Sequence, residues 1–116
     1  MKLKVEFTVA AAHFLPRYEG KCKNLHGHNY KIRLRFSGAP NHETGMLIDF
    51  HEVERAFAPV FERIDHKLLN DIIENPTAEN LCMWVWDQVS PLLHQLVLVE
   101  VDEMDGYSVS YCGHTG

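Results

Sequence analysis

The chain opens on a strict two-residue alternation that leads directly into a histidine. Leu3, Val5, Phe7, Val9 and Ala11 fall on one face, and Lys2, Lys4, Glu6 and Thr8 on the other. Period two predicts a strand with one buried face, and His13 is next on that face. A loop with Pro16 and Gly20 as breakers follows. The alternation then resumes. His26, His28, Tyr30, Ile32, Leu34 and Phe36 share one face, opposite Asn29, Lys31, Arg33 and Arg35. This is a second strand, expected to pair antiparallel with the first.

From Asp49 the period changes. Phe50, Val53, Phe57, Val60, Phe61 and Ile64 recur at spacings of three or four, which predicts an amphipathic helix capped by Asp49 and kinked at Pro59. A second helix is expected near Thr77, with Leu81, Trp84, Val85, Val89 and Leu92 inward. The stretch between the helices reads as a loop with helical turns. Val97, Val99 and Val101 then alternate again, Glu103 continues their face, and a tight turn at Met104–Tyr107 leads to a last strand bearing Tyr107, Val109 and Tyr111. The order β-β-α-α-β-β predicts an α+β fold: a four-stranded antiparallel sheet with two helices on one face, in one domain spanning residues 1–116.

The net charge of −5 argues against a nucleic-acid partner, and the apolar runs are too short for a membrane span. Glu6 interrupts the early apolar segment, so the N-terminus reads as mature protein rather than a leader. Three cysteines (Cys22, Cys82 and Cys112) make no disulfide framework and fit reduced thiols. Together these features predict a cytoplasmic protein.

Residues i and i+2 of a strand project the same way, so His26 and His28 can share one ion, with Gly27 leaving the opposite face clear. An isolated pair of this kind is more often two strand histidines bonded to their neighbours. Here His13 adds a third imidazole on a face that is otherwise apolar, where burial without a metal or full hydrogen bonding is unfavourable. Three imidazoles with one open position is a catalytic zinc arrangement, although imidazole also suits other transition metals.

Cys22 lies four residues before His26, between Lys21 and Lys23. It reads as a fourth ligand, a nucleophile, a proton-transfer group or a plain surface thiol. Asp65–His66 reads as an aspartate-oriented acid–base pair or a charged helix terminus. Glu103, on an inward valine face, needs donors. A ligand with two parallel N–H groups would satisfy it, as would solvent at a strand end.

Six ordered blocks, AAHFLP, CKNLHGHNYKIRL, TGMLIDFHEV, IDHKLLND, NPTAENL and VEVDE, together resemble the 6-pyruvoyl-tetrahydropterin synthase superfamily. The short spacing from Cys22 to His26 is similar to that of its 6-carboxy-tetrahydropterin synthase branch, which serves 7-deazaguanine (queuosine) biosynthesis. The resemblance implies Zn2+ on His13, His26 and His28. It implies proton transfer by Cys22, Asp65 and His66, pterin anchoring by Glu103, and a pterin-holding region at Thr77. It implies a lyase on a pterin triphosphate, which converts 7,8-dihydroneopterin triphosphate to 6-carboxy-5,6,7,8-tetrahydropterin, acetaldehyde and triphosphate. It also implies the tunnelling fold, assembled as a homohexamer of two trimers with active sites between subunits. Arg17, Lys21 and Lys23 are the nearest cations for the triphosphate. A pyruvoyl-forming enzyme and a non-catalytic zinc- or pterin-binding module are the competing readings. Cys112 and His114 have no role in this resemblance.

Overall fold

The computed structural model describes residues 1–116. Four strands, β1 (Lys2–His13), β2 (His26–Ser37), β3 (Leu96–Met104) and β4 (Tyr107–Tyr111), form one antiparallel sheet in the order β1-β2-β3-β4. Helices α1 (Phe50–Ile64) and α2 (Ala78–Val89) supply the second layer, with short 3-10 turns at Lys21–Lys23 and Leu69–Asp71. The expected α+β order is therefore present. No helix is long and apolar enough to cross a membrane.

The β1–β2 register runs without a slip from Lys2↔Ser37 to His13↔His26, which places Ala11 opposite His28. Alternation thus carries three histidines to one end of the sheet on its inward face. That face contributes Val9, Ala11, Tyr30, Ile32, Leu34, Phe36, Val99 and Val101 to the core. Val53, Phe57, Val60 and Ile64 of α1 pack onto it, as do Leu81, Cys82, Val85 and Val89 of α2. Burial beside Glu100 pushes the Cys82 thiol up to about 12, so it behaves as a small apolar group whose proton is shared with the Val99 carbonyl, 3.3 Å away.

Both helices carry side-chain caps. Asp49 Oδ1 accepts from the His51 N–H at 2.9 Å, and Thr77 Oγ accepts from the Asn80 N–H at 3.1 Å. α1 continues through Pro59. Pro59 and Arg55, the residue whose carbonyl loses its partner, both lie on the exposed side of the helix, so water can replace that bond.

Two other expectations shift by one position. Val97 is exposed and Leu96 is buried, because the register changes between Arg35 and Phe36 and leaves Val97 without a partner. Leu93 takes the core place expected of Leu92. Phe50 and Phe61, also expected inward, are exposed. Phe57 stacks on Phe7 with ring centroids 4.0 Å apart and is almost fully buried. Phe57→Ala is expected to destabilise the chain by about 3–5 kcal/mol, measured by denaturant unfolding.

Candidate metal centre and the groups around it

His13 is fully buried at the end of β1. Its Nδ1 lies 2.7 Å from the Pro76 carbonyl oxygen. A carbonyl can only accept, so Nδ1–H donates, and in the neutral ring Nε2 keeps its lone pair. His26 is fixed in the same way: its Nδ1–H donates to the Asn24 carbonyl at 2.7 Å. The two Nε2 atoms then face each other across 2.9 Å. In the neutral tautomers no proton lies between them. A cation does what a hydrogen bond cannot, and backbone carbonyls on the far nitrogens are the usual outer support of imidazole ligands.

The Nε2 of His28 is buried with no hydrogen-bond partner. Glu103 Oε1 stands 3.3 Å from Nε2 of both His13 and His28. Ligand atoms of all four residues lie within 4.8 Å of one another. An orphaned buried nitrogen and converging lone pairs fit a bound divalent metal.

The shell around His13 is built from short polar contacts. The side-chain amide of Asn70 pairs with the Phe14 backbone, accepting its N–H at 3.0 Å and donating to its carbonyl at 2.9 Å. Asn80 donates to the Asn75 carbonyl at 2.8 Å and so ties down the loop that carries Pro76. The Tyr30 hydroxyl lies 3.2 Å and 3.3 Å from the two ring nitrogens of His13. Burial, reinforced by Glu103, pushes its phenol above the ordinary range, so it stays neutral.

Burial lowers the pKa of both His13 and His28. The Pro76 carbonyl and Glu103 act in the opposite direction on His13, as Glu103 does on His28. Neutral imidazoles are ready ligands. Above pH 6.5 the folded and unfolded chains both hold these rings neutral. As pH falls below 6.5 the unfolded chain takes up protons that the buried rings resist. Metal-free stability is therefore expected to fall on acidification, by up to about 1.4 kcal/mol per pH unit for each ring, until the lowered folded pKa values are reached. Denaturant melts of chelated protein between pH 7.5 and about 5 check this, and a flat profile would contradict it.

Asp65 and His66 meet just beyond α1. His66 has φ 57°, and this left-handed turn brings its Nδ1–H to Asp65 Oδ2 at 2.8 Å. Neighbours on a helix would not face each other in this way. Asp65 Oδ1 also accepts the Ala10 N–H at 3.1 Å, and the His66 N–H donates to the Ala10 carbonyl at 2.6 Å. The segment thus docks on the open edge of β1, with a parallel bridge between Ala12 and Leu68. His66, followed by the Ala10 backbone bond, holds the Asp65 carboxyl below the usual carboxylate range. The exposed His66 ring and His28 line one open cavity of about 590 Å³, with Gly27, Asn29 and Lys67.

Cys22 lies in the Lys21–Lys23 turn, half-buried and reduced. Its carbonyl accepts the Leu15 N–H at 2.8 Å, but its thiol makes no hydrogen bond and does not line that cavity. No hydrogen bond joins Cys22 to Asp65 or His66. Arg17 is paired with Glu74 at 3.1 Å, both exposed. Thr77 caps α2. Its neighbours Ala78 and Glu79 line a second cavity of about 320 Å³ with Glu103, Gly106 and Tyr107.

The grouping of His13, His26 and His28 was legible from strand period and pairing. Glu103 joins them because β3 pairs with β2, Asp102 lying opposite Lys31, and the register then shifts before Met104. On the opposite face Arg33 grips Asp102 through bonds of 2.8 Å and 2.6 Å, which steadies the backbone just before Glu103. No sequence signal pointed to the Pro76 and Asn24 carbonyls or to Asn70 and Asn80.

Residues 2–114 match the family described as 6-pyruvoyl tetrahydropterin synthase. A 6-carboxy-5,6,7,8-tetrahydropterin synthase of Synechocystis is 36% identical over 109 residues, covering 82% of this chain and 82% of its own length. A 6-pyruvoyl tetrahydrobiopterin synthase of Dictyostelium discoideum is 36% identical over 101 residues, covering 81% of this chain and 75% of its own. Among solved structures, Caenorhabditis elegans 6-pyruvoyl tetrahydropterin synthase superposes with a TM-score of 0.90 over 98% of this chain and 96% of that one. At 22% identity this likeness speaks to the fold.

Proposed function

The chain belongs to the 6-pyruvoyl tetrahydropterin synthase family, and from that premise we propose that it is a zinc-dependent 6-carboxy-5,6,7,8-tetrahydropterin synthase. In this reading it is a lyase that converts 7,8-dihydroneopterin triphosphate to 6-carboxy-tetrahydropterin, acetaldehyde and triphosphate, within 7-deazaguanine (queuosine) biosynthesis. The observation that carries the reading is the imidazole cluster, with the tautomers of His13 and His26 fixed by backbone carbonyls and one buried His28 nitrogen unpartnered. His13, His26 and His28 hold the metal, which when bound supplies a Lewis acid for side-chain oxygens of the substrate.

The remaining roles belong to the chain. Glu103 accepts two parallel N–H groups from the amino-pyrimidine edge of the pterin. The nearby start of α2, capped by Thr77, borders the ring pocket. His66, held by Asp65, keeps Nε2 free to take or return a proton. Cys22 serves as the second proton-transfer group. The site is completed between copies, in a hexamer of two trimers. Lys21, Lys23 and Arg17 lie on the loop best placed to meet the triphosphate. A cytoplasmic location accords with the three free thiols.

The equal identity to the Dictyostelium relative favours a second reading, in which triphosphate is eliminated and the three-carbon chain is kept as a pyruvoyl group. Product analysis after incubation with 7,8-dihydroneopterin triphosphate separates the two. Acetaldehyde together with 6-carboxy-tetrahydropterin is expected. A pyruvoyl pterin without acetaldehyde would replace the first reading by the second.

A further inference from the structure

The position of Glu103 carries more than a pterin anchor. His13 Nε2 has no proton in the neutral tautomer that the Pro76 carbonyl selects. Yet Glu103 Oε1, itself only an acceptor when ionised, stands 3.3 Å from it. The same oxygen is 3.3 Å from His28 Nε2, a buried atom with no hydrogen-bond partner. His13 Nε2 and Glu103 Oε1, two acceptors at that distance with no hydrogen between them, repel. The separation is nevertheless the natural edge of a metal tetrahedron. With metal–nitrogen and metal–oxygen bonds of about 2.0–2.1 Å, neighbouring ligand atoms lie about 3.3–3.4 Å apart. Glu103 is also only partly exposed, and it sits where the β3–β4 register shifts, beside the anchored Asp102.

We propose that Glu103 is the fourth metal ligand of the substrate-free protein, closing the site that His13, His26 and His28 leave open. The carboxylate lies on the wall shared with the cavity bordered by Ala78, Gly106 and Tyr107. It therefore has two partners to choose between: the cation on one side and a ring with parallel N–H donors on the other. A pterin ring that draws Glu103 away frees a coordination position as it docks. This second half rests on the pterin reading above. Glu103 then couples recognition of the ring to opening of the metal, and protects the metal from stray ligands until a ring arrives.

The test uses chelated full-length chain reloaded with Co2+, whose visible absorption reports ligand number and type. Glu103→Gln keeps the shape of the side chain and removes the anionic ligand. Its substrate-free spectrum is expected to differ from wild type, and its cobalt dissociation constant to rise at least about tenfold. Coincident spectra and constants would overturn the proposal. X-ray absorption of the zinc-loaded wild type needs no variant. A carboxylate oxygen at about 2.0–2.2 Å supports ligation, and a shell of three nitrogens with only water or thiolate contradicts it. Addition of unsubstituted pterin to the cobalt wild type is expected to move its spectrum toward that of Glu103→Gln. A wild type that differs from the variant yet ignores pterin keeps Glu103 as resting ligand and removes the pterin reading instead.

Discussion

His28→Ala is expected to weaken metal binding by more than about 100-fold and to take turnover down with it. The variant should nevertheless fold. His28 Nε2 is an unsatisfied buried atom in the metal-free chain, so deleting it removes a desolvation penalty while opening a small cavity. In chelator, the variant is therefore expected within about 2 kcal/mol of wild type. With zinc present at about 1,000 times the wild-type dissociation constant, the wild type gains about 4 kcal/mol and the variant no more than about 1.4 kcal/mol. Denaturant melts with and without zinc read both quantities. A variant equally destabilised in the two conditions would make His28 a packing residue rather than a ligand.

Cys22→Ala is expected to lower kcat by about 10²- to 10⁴-fold, the usual worth of a positioned proton-transfer group. Metal occupancy should be unchanged, since the thiol lies outside the four-residue donor cluster. His66→Ala should give a loss of similar size, again with metal retained. The two variants also report on where the site is completed. With the site completed between copies as proposed, co-assembled Cys22→Ala and His66→Ala chains should recover activity that neither has alone. Mixed oligomers without recovery would place both groups in one chain's site. Full activity of Cys22→Ala would remove the thiol from catalysis.

Much of this architecture was readable from the chain because strand and helix periods differ. The alternation from Leu3 to His13 and from His26 to Phe36 defined two strands and their inward faces, and the unslipped β1–β2 register followed. What the periodicity missed were choices between adjacent apolar residues. Leu96 and Val97 are equally suited to a core, and only the register shift beside Phe36 decides between them. Leu92 and Leu93 pose the same choice just beyond α2.

The site divides along similar lines. His13, His26 and His28 were legible because their grouping depends on strand pairing alone. The orientation of His13 was not, because it depends on the Pro76 carbonyl, a backbone atom brought 63 residues along the chain by the approach to α2. Asp65 and His66 were visible as a dipeptide. Their contact needed the left-handed backbone at His66, which sequence does not announce in a residue other than glycine.

Every proposed role depends on a metal held by three imidazoles. Equilibrium dialysis of the chelated chain against zinc, followed by elemental analysis, tests it most directly. The expected result is one tightly held zinc per wild-type chain and essentially none in His28→Ala, with Cys22→Ala indistinguishable from wild type. A folded wild-type chain that retains no zinc, or a His28→Ala chain that retains as much as wild type, would contradict it.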